Sequence, residues 1–227
     1  MKTTVIAAAA LIALPLGAGA ADLGAVRAPS SAAVAAQAFD WSGFYLGAHA
    51  GYGFGRALPV NFGGVPFPTN VGGALIGGQV GFNYQINQVV LGAEADLALT
   101  SISGSNPVLP PAIRVRTHVL GTLRARAGFA VDRALIYGTG GLAVQSATFG
   151  YGPGPQGYSR VGWTIGAGVE YALAPHWTVK AEYAYHSFGS RDLLPLYGLT
   201  ISSNIHTVKL GVNYLFSTGP SAVSARY

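Results

Sequence analysis

The sequence predicts an all-β protein, an eight-stranded antiparallel transmembrane up-and-down β-barrel, on three observations. Only 9% of the 227 residues are charged while 50% are hydrophobic. A soluble domain carries about 25% charged residues, so this chain lacks the means to cover a water-facing surface. After position 20 Gly and polar residues interrupt every apolar stretch, and none approaches the roughly 20 residues a membrane helix needs. From Trp41 onward apolar residues alternate with polar or small ones in eight successive segments, the period of a strand with two unlike faces. Disorder is excluded too, because 11% of the residues are aromatic.

The chain begins with Met1-Lys2-Thr3-Thr4, then an apolar run from Val5 to Leu16 and the small-residue pattern Ala18-Gly19-Ala20. Residues 1–20 therefore read as a secretory signal peptide; a run of about 15 residues is short for a membrane anchor. Residues 21–40, rich in Ala, Ser and Pro, read as a flexible periplasmic lead-in. Residues 41–216 form the expected barrel and 217–227 a C-terminal tail.

The strands follow in order. The first, 43–56, sets Phe44, Leu46, Ala48, Ala50, Tyr52 and Phe54 on one face. The second, 73–85, does so with Ile76, Val80, Phe82 and Tyr84, and the third, 88–101, with Val89, Leu91, Ala93, Ala95, Leu97 and Leu99. In the fourth, 113–130, the set is Ile113, Val115, Val119, Leu123 and Phe129. The fifth, 133–147, is the least regular: Ile136, Leu142 and Val144 share a face that Leu135 and Tyr137 do not. The sixth, 160–173, shows Val161, Trp163, Ile165, Val169, Tyr171 and Leu173. The seventh, 176–189, shows Trp177, Val179, Ala181, Tyr183 and Tyr185, and the eighth, 204–216, Val208, Leu210, Val212, Tyr214 and Phe216. Long links at 57–72, 102–112, 148–159 and 190–203 alternate with tight turns near Asn87-Gln88, Val131-Asp132-Arg133 and Ala174-Pro175-His176. Short periplasmic turns and longer outer loops are the habit of outer-membrane barrels, and closure is required because open sheet edges cannot face lipid.

Charges take the opposite phase. Glu94, Asp96, Arg114, Arg116, His118, Arg124, Arg126, Arg160, Glu170, Lys180, Glu182 and Lys209 all oppose the apolar set of their strands. An Arg or Lys at the lipid midplane costs about 2–4 kcal/mol, so these side chains are expected in the lumen. Buried charges need partners. The expected structural network joins Glu94, Asp96, Glu170 and Glu182 to Arg124, Arg126, Lys180 and Lys209; its alternative is a water-filled passage lined by unpaired charge. Trp41, Phe82, Tyr84, Phe129, Tyr171, Trp177, Tyr214 and Phe216 bunch toward the turn end, and Tyr52, Phe54, Trp163 and Tyr185 toward the loop end, as two interfacial girdles.

At Trp41-Ser42-Gly43-Phe44-Tyr45-Leu46-Gly47 and Gly51-Tyr52-Gly53-Phe54-Gly55 the chain resembles small alphaproteobacterial outer-membrane β-barrel proteins of the opacity/OmpA-like porin family. Further matches run through Gly77–Tyr84, Gly92–Asp96, Leu123–Gly128, Tyr137–Ala143, Gly166–Tyr171, Lys180–Tyr185 and Val208–Phe216. The resemblance implies an eight-stranded barrel in the bacterial outer membrane with surface loops, and brings no catalytic set. It also implies insertion by the barrel-assembly machinery, which is thought to read a terminal aromatic. Here Phe216 is followed by Ser217 to Tyr227, with Val223, Ala225 and Tyr227 as a second, weaker alternation.

No other chemistry is well supported. Zero Cys excludes thiolate sites and disulfides. The Gly-rich stretches lack the Gly-Lys-Ser/Thr of a phosphate loop. His186 and Ser187 are strand neighbours and point to opposite faces, so they form no nucleophile–base pair; Glu182 shares the His186 face, roughly 13 Å along the strand. Asp192 and His206 near the loop rim are a weak protease signal. His49, His118 and His206 have no metal-ligand spacing and read as solitary lumen residues. The expectation is a non-catalytic structural and surface-interaction barrel without cofactor, with a narrow solute channel as the alternative, since eight strands leave an interior just filled by side chains. Expected partners are outer-membrane lipid and lipopolysaccharide, the assembly machinery, and an extracellular partner for the apolar loop residues Leu58, Val60, Phe62, Val65, Phe67, Leu193, Leu194 and Leu196. The formal charge of +5 suggests no nucleic-acid partner, because the arginines form no exposed cluster in this reading.

Overall fold

In the computed structural model, alternating side chains divide a rolled sheet into an apolar exterior and a filled interior. The structure describes residues 39–58, 69–106, 113–150, 155–194 and 199–216, without some side chains at the strand ends. The expected signal peptide, most of the lead-in, the tail, the loop residues Val60, Phe62, Val65, Phe67 and Leu196, and the side chains of Leu58, Asp192, Leu193 and Leu194 lie outside the described residues.

The strands are β1 (Gly43–Leu58), β2 (Thr69–Ile86), β3 (Val89–Thr100), β4 (Ser103–Asn106), β5 (Ile113–Val131), β6 (Ala134–Gly150), β7 (Pro155–Ala174), β8 (Trp177–Leu194) and β9 (Leu199–Phe216). All pairings are antiparallel, and β1 bonds to both β2 and β9, which closes the sheet. β3 and β4 lie end to end between β2 and β5. They make one stave, so the nine strands build an eight-stranded barrel. Tight turns fall at Asn87-Gln88, Asp132-Arg133 and Pro175-His176. Asn87 (φ 55°) and Asp132 (φ 53°) are left-handed, a conformation that short polar side chains tolerate.

At the other end the strands run further than hydropathy indicates. β6 and β7 reach Gly150 and Pro155, and β8 and β9 reach Leu194 and Leu199, so most of the links expected at 148–159 and 190–203 is strand. The link expected at 102–112 holds β4 from Ser103 to Asn106. Ladder bonds between strands already in register continue past the point where apolar alternation stops.

Outside, Phe44, Leu46, Ile76, Leu91, Leu99, Leu123, Leu142, Val161, Ile165 and Leu210 are among many large exposed apolar residues. A soluble monomer rarely exposes a contiguous apolar patch above a few hundred Å²; acyl chains are the solvent that suits this wall. Inside, an apolar cluster at the loop end (Val71, Ile102, Val115, Leu120, Ala143, Phe188 and Ile205) faces a second at the turn end (Trp41, Val90, Ala130, Leu135, Tyr137 and Ala172, with Phe39 against it).

Four expectations about direction are corrected. Between Thr117 and Val119, β5 carries one residue more than β6. This bulge turns both His118 and Val119 away from the lumen, and above it the phase of β5 is reversed. Val115, expected on the lipid face, is therefore buried inside, while Arg114, Arg116 and His118, expected in the lumen, are exposed on the outer wall. Trp41, expected in the turn-end girdle, is 1% exposed and meets Phe39 edge-on at 4.8 Å between ring centroids; it continues the odd, inward phase of Gly43 and Tyr45. His206, expected in the lumen, lies on the outer wall between Phe54 and Tyr185, within ring-contact distance of both. Leu135 and Tyr137, which broke the pattern of the fifth strand, point inward and are buried.

Candidate functional site: a layer of ion pairs in the lumen

Each strand of the barrel offers every second side chain to the interior. On β3 these include Glu94 and Asp96, on β5 Arg124 and Arg126, on β7 Glu170, on β8 Lys180 and Glu182, and on β9 Lys209. All eight are buried. Register makes some of them direct neighbours: Glu94 is opposite Arg124 on β5, and Glu182 is opposite Lys209 on β9.

Arg124 is the centre. It donates to Glu94 at 2.5 Å, to Asp96 at 3.1 Å and, across the lumen, to Glu182 at 2.7 Å. Lys180 reaches Glu94 at 2.8 Å and lies 4.0 Å from Glu182. Lys209 reaches Asp96 at 2.8 Å and Glu182 at 3.2 Å. Arg126 pairs with Glu170. Four cations meet four carboxylates, and half of the contacts bridge strands that are not neighbours in the sheet, so the layer reaches across the lumen.

Neutral side chains that the charge pattern did not single out complete it. Tyr45 donates to Glu94 at 2.8 Å and accepts from Arg126 at 3.4 Å, which ties the Arg126–Glu170 pair to the rest. Tyr137 donates to Glu182 at 3.1 Å, and its ring lies 3.8 Å from the Arg126 guanidinium carbon. Glu170 also accepts from Thr178 and, at 2.7 Å, from Asn213. Asn213 in turn accepts from Gln79 at 2.6 Å, and Gln79 bonds His49 at 2.5 Å. The available signal for the tyrosines was inward phase combined with a glycine opposite. Gly81 faces Tyr45 and Gly168 faces Tyr137 in the register. A Cβ at Gly81 would sit 2.3 Å from the Tyr45 ring, and one at Gly168 2.6 Å from the Tyr137 hydroxyl.

The other candidates do not converge. His186 is fully buried and bonds Thr207 at 3.1 Å, while Glu182 is engaged by cations and Ser187 belongs to the outward face. His49 points inward, but His118 and His206 point outward and bond Thr148 (2.9 Å) and Tyr183 (2.6 Å), so the three histidines share no site.

Comparison with known proteins agrees with this architecture. Residues 6–216 match the family described as outer membrane protein beta-barrel domain. The chain is 34% identical to the 31 kDa outer-membrane immunogenic protein of Brucella melitensis, over 95% of this chain and 100% of that protein. It is 29% identical to the 22 kDa outer membrane protein of Rhizobium leguminosarum, over 78% of each. Among solved structures, the outer membrane protein OprG of Pseudomonas aeruginosa aligns with a TM-score of 0.51 at 12% identity, covering 78% of this chain and 97% of that one, a likeness of fold alone.

Proposed function

The chain belongs to the outer membrane protein β-barrel family and is an outer-membrane protein, and from that premise we propose that it is a closed, non-catalytic structural barrel that holds its outer loops at the cell surface. The observation that carries this reading is the filling of the lumen. An apolar cluster closes each end, and a charge-balanced layer of ion pairs lies between them. A solute would have to part Ile102, Phe188 and Ile205 at one end, separate buried ion pairs, and then part Trp41 and Leu135 at the other. Under this reading the eight charged residues have a structural role. Removing one partner of such a buried pair costs about 3–5 kcal/mol, because the other is left uncompensated.

Met1 to Ala20 serves as the export signal, and lipid and the assembly machinery are the partners of insertion. The relatives named as immunogenic support a surface antigen with exposed loops. Planar-bilayer recording of the refolded protein tests the reading: no steady openings are expected, and steady openings of large conductance overturn it. One observation favours the second reading, a narrow channel. Just above the ion pairs, Thr122 Oγ1, Thr164 Oγ1 and His186 Nδ1 are buried without a hydrogen-bond partner, a polar stretch suited to small hydrated solutes if the outer cluster opens.

A further inference from the structure

The outer wall carries a second concentration of charge, separate from the lumen. Arg56 on β1 and Arg114 and Arg116 on β5 are exposed and have the phase of the apolar wall: Arg56 continues the series Tyr52, Phe54, while Arg114 and Arg116 flank the inward Val115. Polar side chains lie beside them in the register. Arg56 is opposite Asn204 on β9 and Asn70 on β2. β2 leads through Gly72, paired with Ser103, to β4, where Ser103 and Ser105 are opposite Arg116 and Arg114. The result is a polar arc running across β9, β1, β2, β4 and β5. Two concavities open along it. One, of about 720 Å³, is lined by Ser101, Ser103, Ser105, Arg114 and Arg116; the other, of about 570 Å³, by Phe54, Arg56, Asn70, Asn204 and His206.

The height of the arc is set by strand geometry. From Phe44 in the turn-end girdle to Arg56, a rise of ~3.3 Å per residue and a tilt of about 40° give about 30 Å along the membrane normal. From Phe129 to Arg116, with the bulge subtracted, the same geometry gives about 30 Å. The apolar band of such a barrel is about 25 Å tall, so all three guanidiniums stand just beyond the acyl chains, at the headgroups of the outer leaflet.

None of the three has an ion pair among the described residues. The described carboxylates are elsewhere: Glu94, Asp96, Glu170 and Glu182 in the lumen, Asp40 and Asp132 at the turn end. Inside the barrel Arg124 and Arg126 meet carboxylates; among the described residues, cations, amides and hydroxyls are gathered on this wall with none. Beneath them lie Tyr52, Phe54, Ile76 and Leu99, all exposed.

We propose that this arc binds the phosphate groups of a phosphorylated glycolipid of the outer leaflet. Guanidinium groups bind phosphate through paired, charge-assisted hydrogen bonds, and basic clusters at headgroup level are a recurring means of holding anionic lipids. Asn70, Ser103 and Ser105 donate to the remaining oxygens. Arg114 and Arg116 stand roughly 7 Å apart on one face, a spacing that engages two phosphates or two sides of one. The apolar wall below accepts the acyl chains, which distinguishes a membrane glycolipid from a soluble anion. The proposal is independent of the closed lumen: conductance tests one and lipid binding the other.

The test uses the full chain refolded in detergent micelles and titrated with purified diphosphorylated lipid A, with retained glycolipid counted by native mass spectrometry. Wild type is expected to bind at least tenfold more tightly than R56Q/R114Q/R116Q, to exceed R56K/R114K/R116K by less than that because lysine keeps the charge but not the paired hydrogen bonds, and to discriminate tenfold against the glycolipid stripped of phosphate. Heat-modifiable gel migration reports whether each variant is folded; if the glutamine variant is not, the comparison of phosphorylated with stripped glycolipid on wild type decides alone. Equal binding by the folded glutamine variant, or no discrimination by wild type, overturns the proposal. So does displacement of the glycolipid by equimolar inorganic phosphate, which identifies a free-anion site, or retention of heparin with no retention of lipid A, which identifies a soluble sulfated glycan.

Discussion

β5 carries two Arg-x-Arg pairs, and they face opposite ways. Arg124 and Arg126 point into the lumen and end on carboxylates; Arg114 and Arg116, eight residues and one bulge higher, point outward and are exposed. The residue type and the spacing are the same, so neither decides the outcome. Two things do. The extra residue at His118 sets which face each pair occupies, and height along the barrel sets what that face meets. At mid-membrane an outward arginine meets acyl chains at a cost of about 2–4 kcal/mol, falling to ~0–1 near the interface. The lower pair must therefore point inward, and once inside it must find anions. The upper pair stands beyond the acyl chains and is free to point out.

The comparison is broken most severely by shifting the phase of β5 below the bulge. Deleting Ala125, which lies in regular strand between the two arginines, leaves no register that keeps both inside. Either Arg126 enters lipid with the strand below it, or Arg124 does with the strand up to the bulge, since a one-residue slip exchanges the faces. No heat-modifiable folded band is expected. Deleting His118 instead removes the residue by which β5 exceeds β6. The alternation Leu120 in, Val119 out, Thr117 in, Arg116 out then becomes regular, and a folded barrel is expected with Arg114 and Arg116 still outside. A cysteine at position 116 should react with an aqueous thiol reagent before and after that deletion; loss of reaction would show that the bulge does more than restore phase.

The next effect in size comes from the lower pair. In Arg124→Ala three carboxylates lose their shared guanidinium, while Lys180 and Lys209 remain to hold them. A loss of about 3–5 kcal/mol is expected for removing one member of a buried pair, read as a lower urea midpoint in lipid vesicles. An unchanged midpoint means that the layer is hydrated enough to do without its centre.

These differences also mark how far the sequence could be read. The eight staves, the tight turns and the inward phase of Glu94, Asp96, Arg124, Arg126, Glu170, Lys180, Glu182 and Lys209 were legible because alternation of period 2 is a strong signal wherever one face meets lipid. The bulge at His118 was not legible, because it leaves the residue types unchanged and alters only the parity above it. Carried past the bulge, the alternation assigned Val115 to lipid and Arg114 and Arg116 to the lumen. Trp41 was misread for a different reason: its aromatic type was counted toward the girdle, although it has the odd, inward phase of Gly43 and Tyr45. Tyr45 and Tyr137 were overlooked as partners because the network was sought among ionised side chains alone, although their phase and the glycines opposite them, Gly81 and Gly168, point inward. Which cation meets which carboxylate is set by contacts across the lumen, and these have no trace in the order of residues along the chain.

The smallest effect sharpens the comparison most. Arg116→Ala removes a guanidinium of the same kind as Arg124→Ala, from the same strand, at a site that is exposed and has no ion pair among the described residues. Surface substitutions away from specific partners usually stay within about 0.5 kcal/mol, and that is the shift expected in vesicles of neutral phospholipid. With a single variant on each side of the bulge, the ratio of the two shifts measures what burial and pairing add to an arginine, with the strand and the residue type held constant. If Arg116→Ala destabilises the barrel in neutral lipid by as much as Arg124→Ala, the upper pair has a structural partner on the wall, and its outward direction is not a consequence of its height in the membrane.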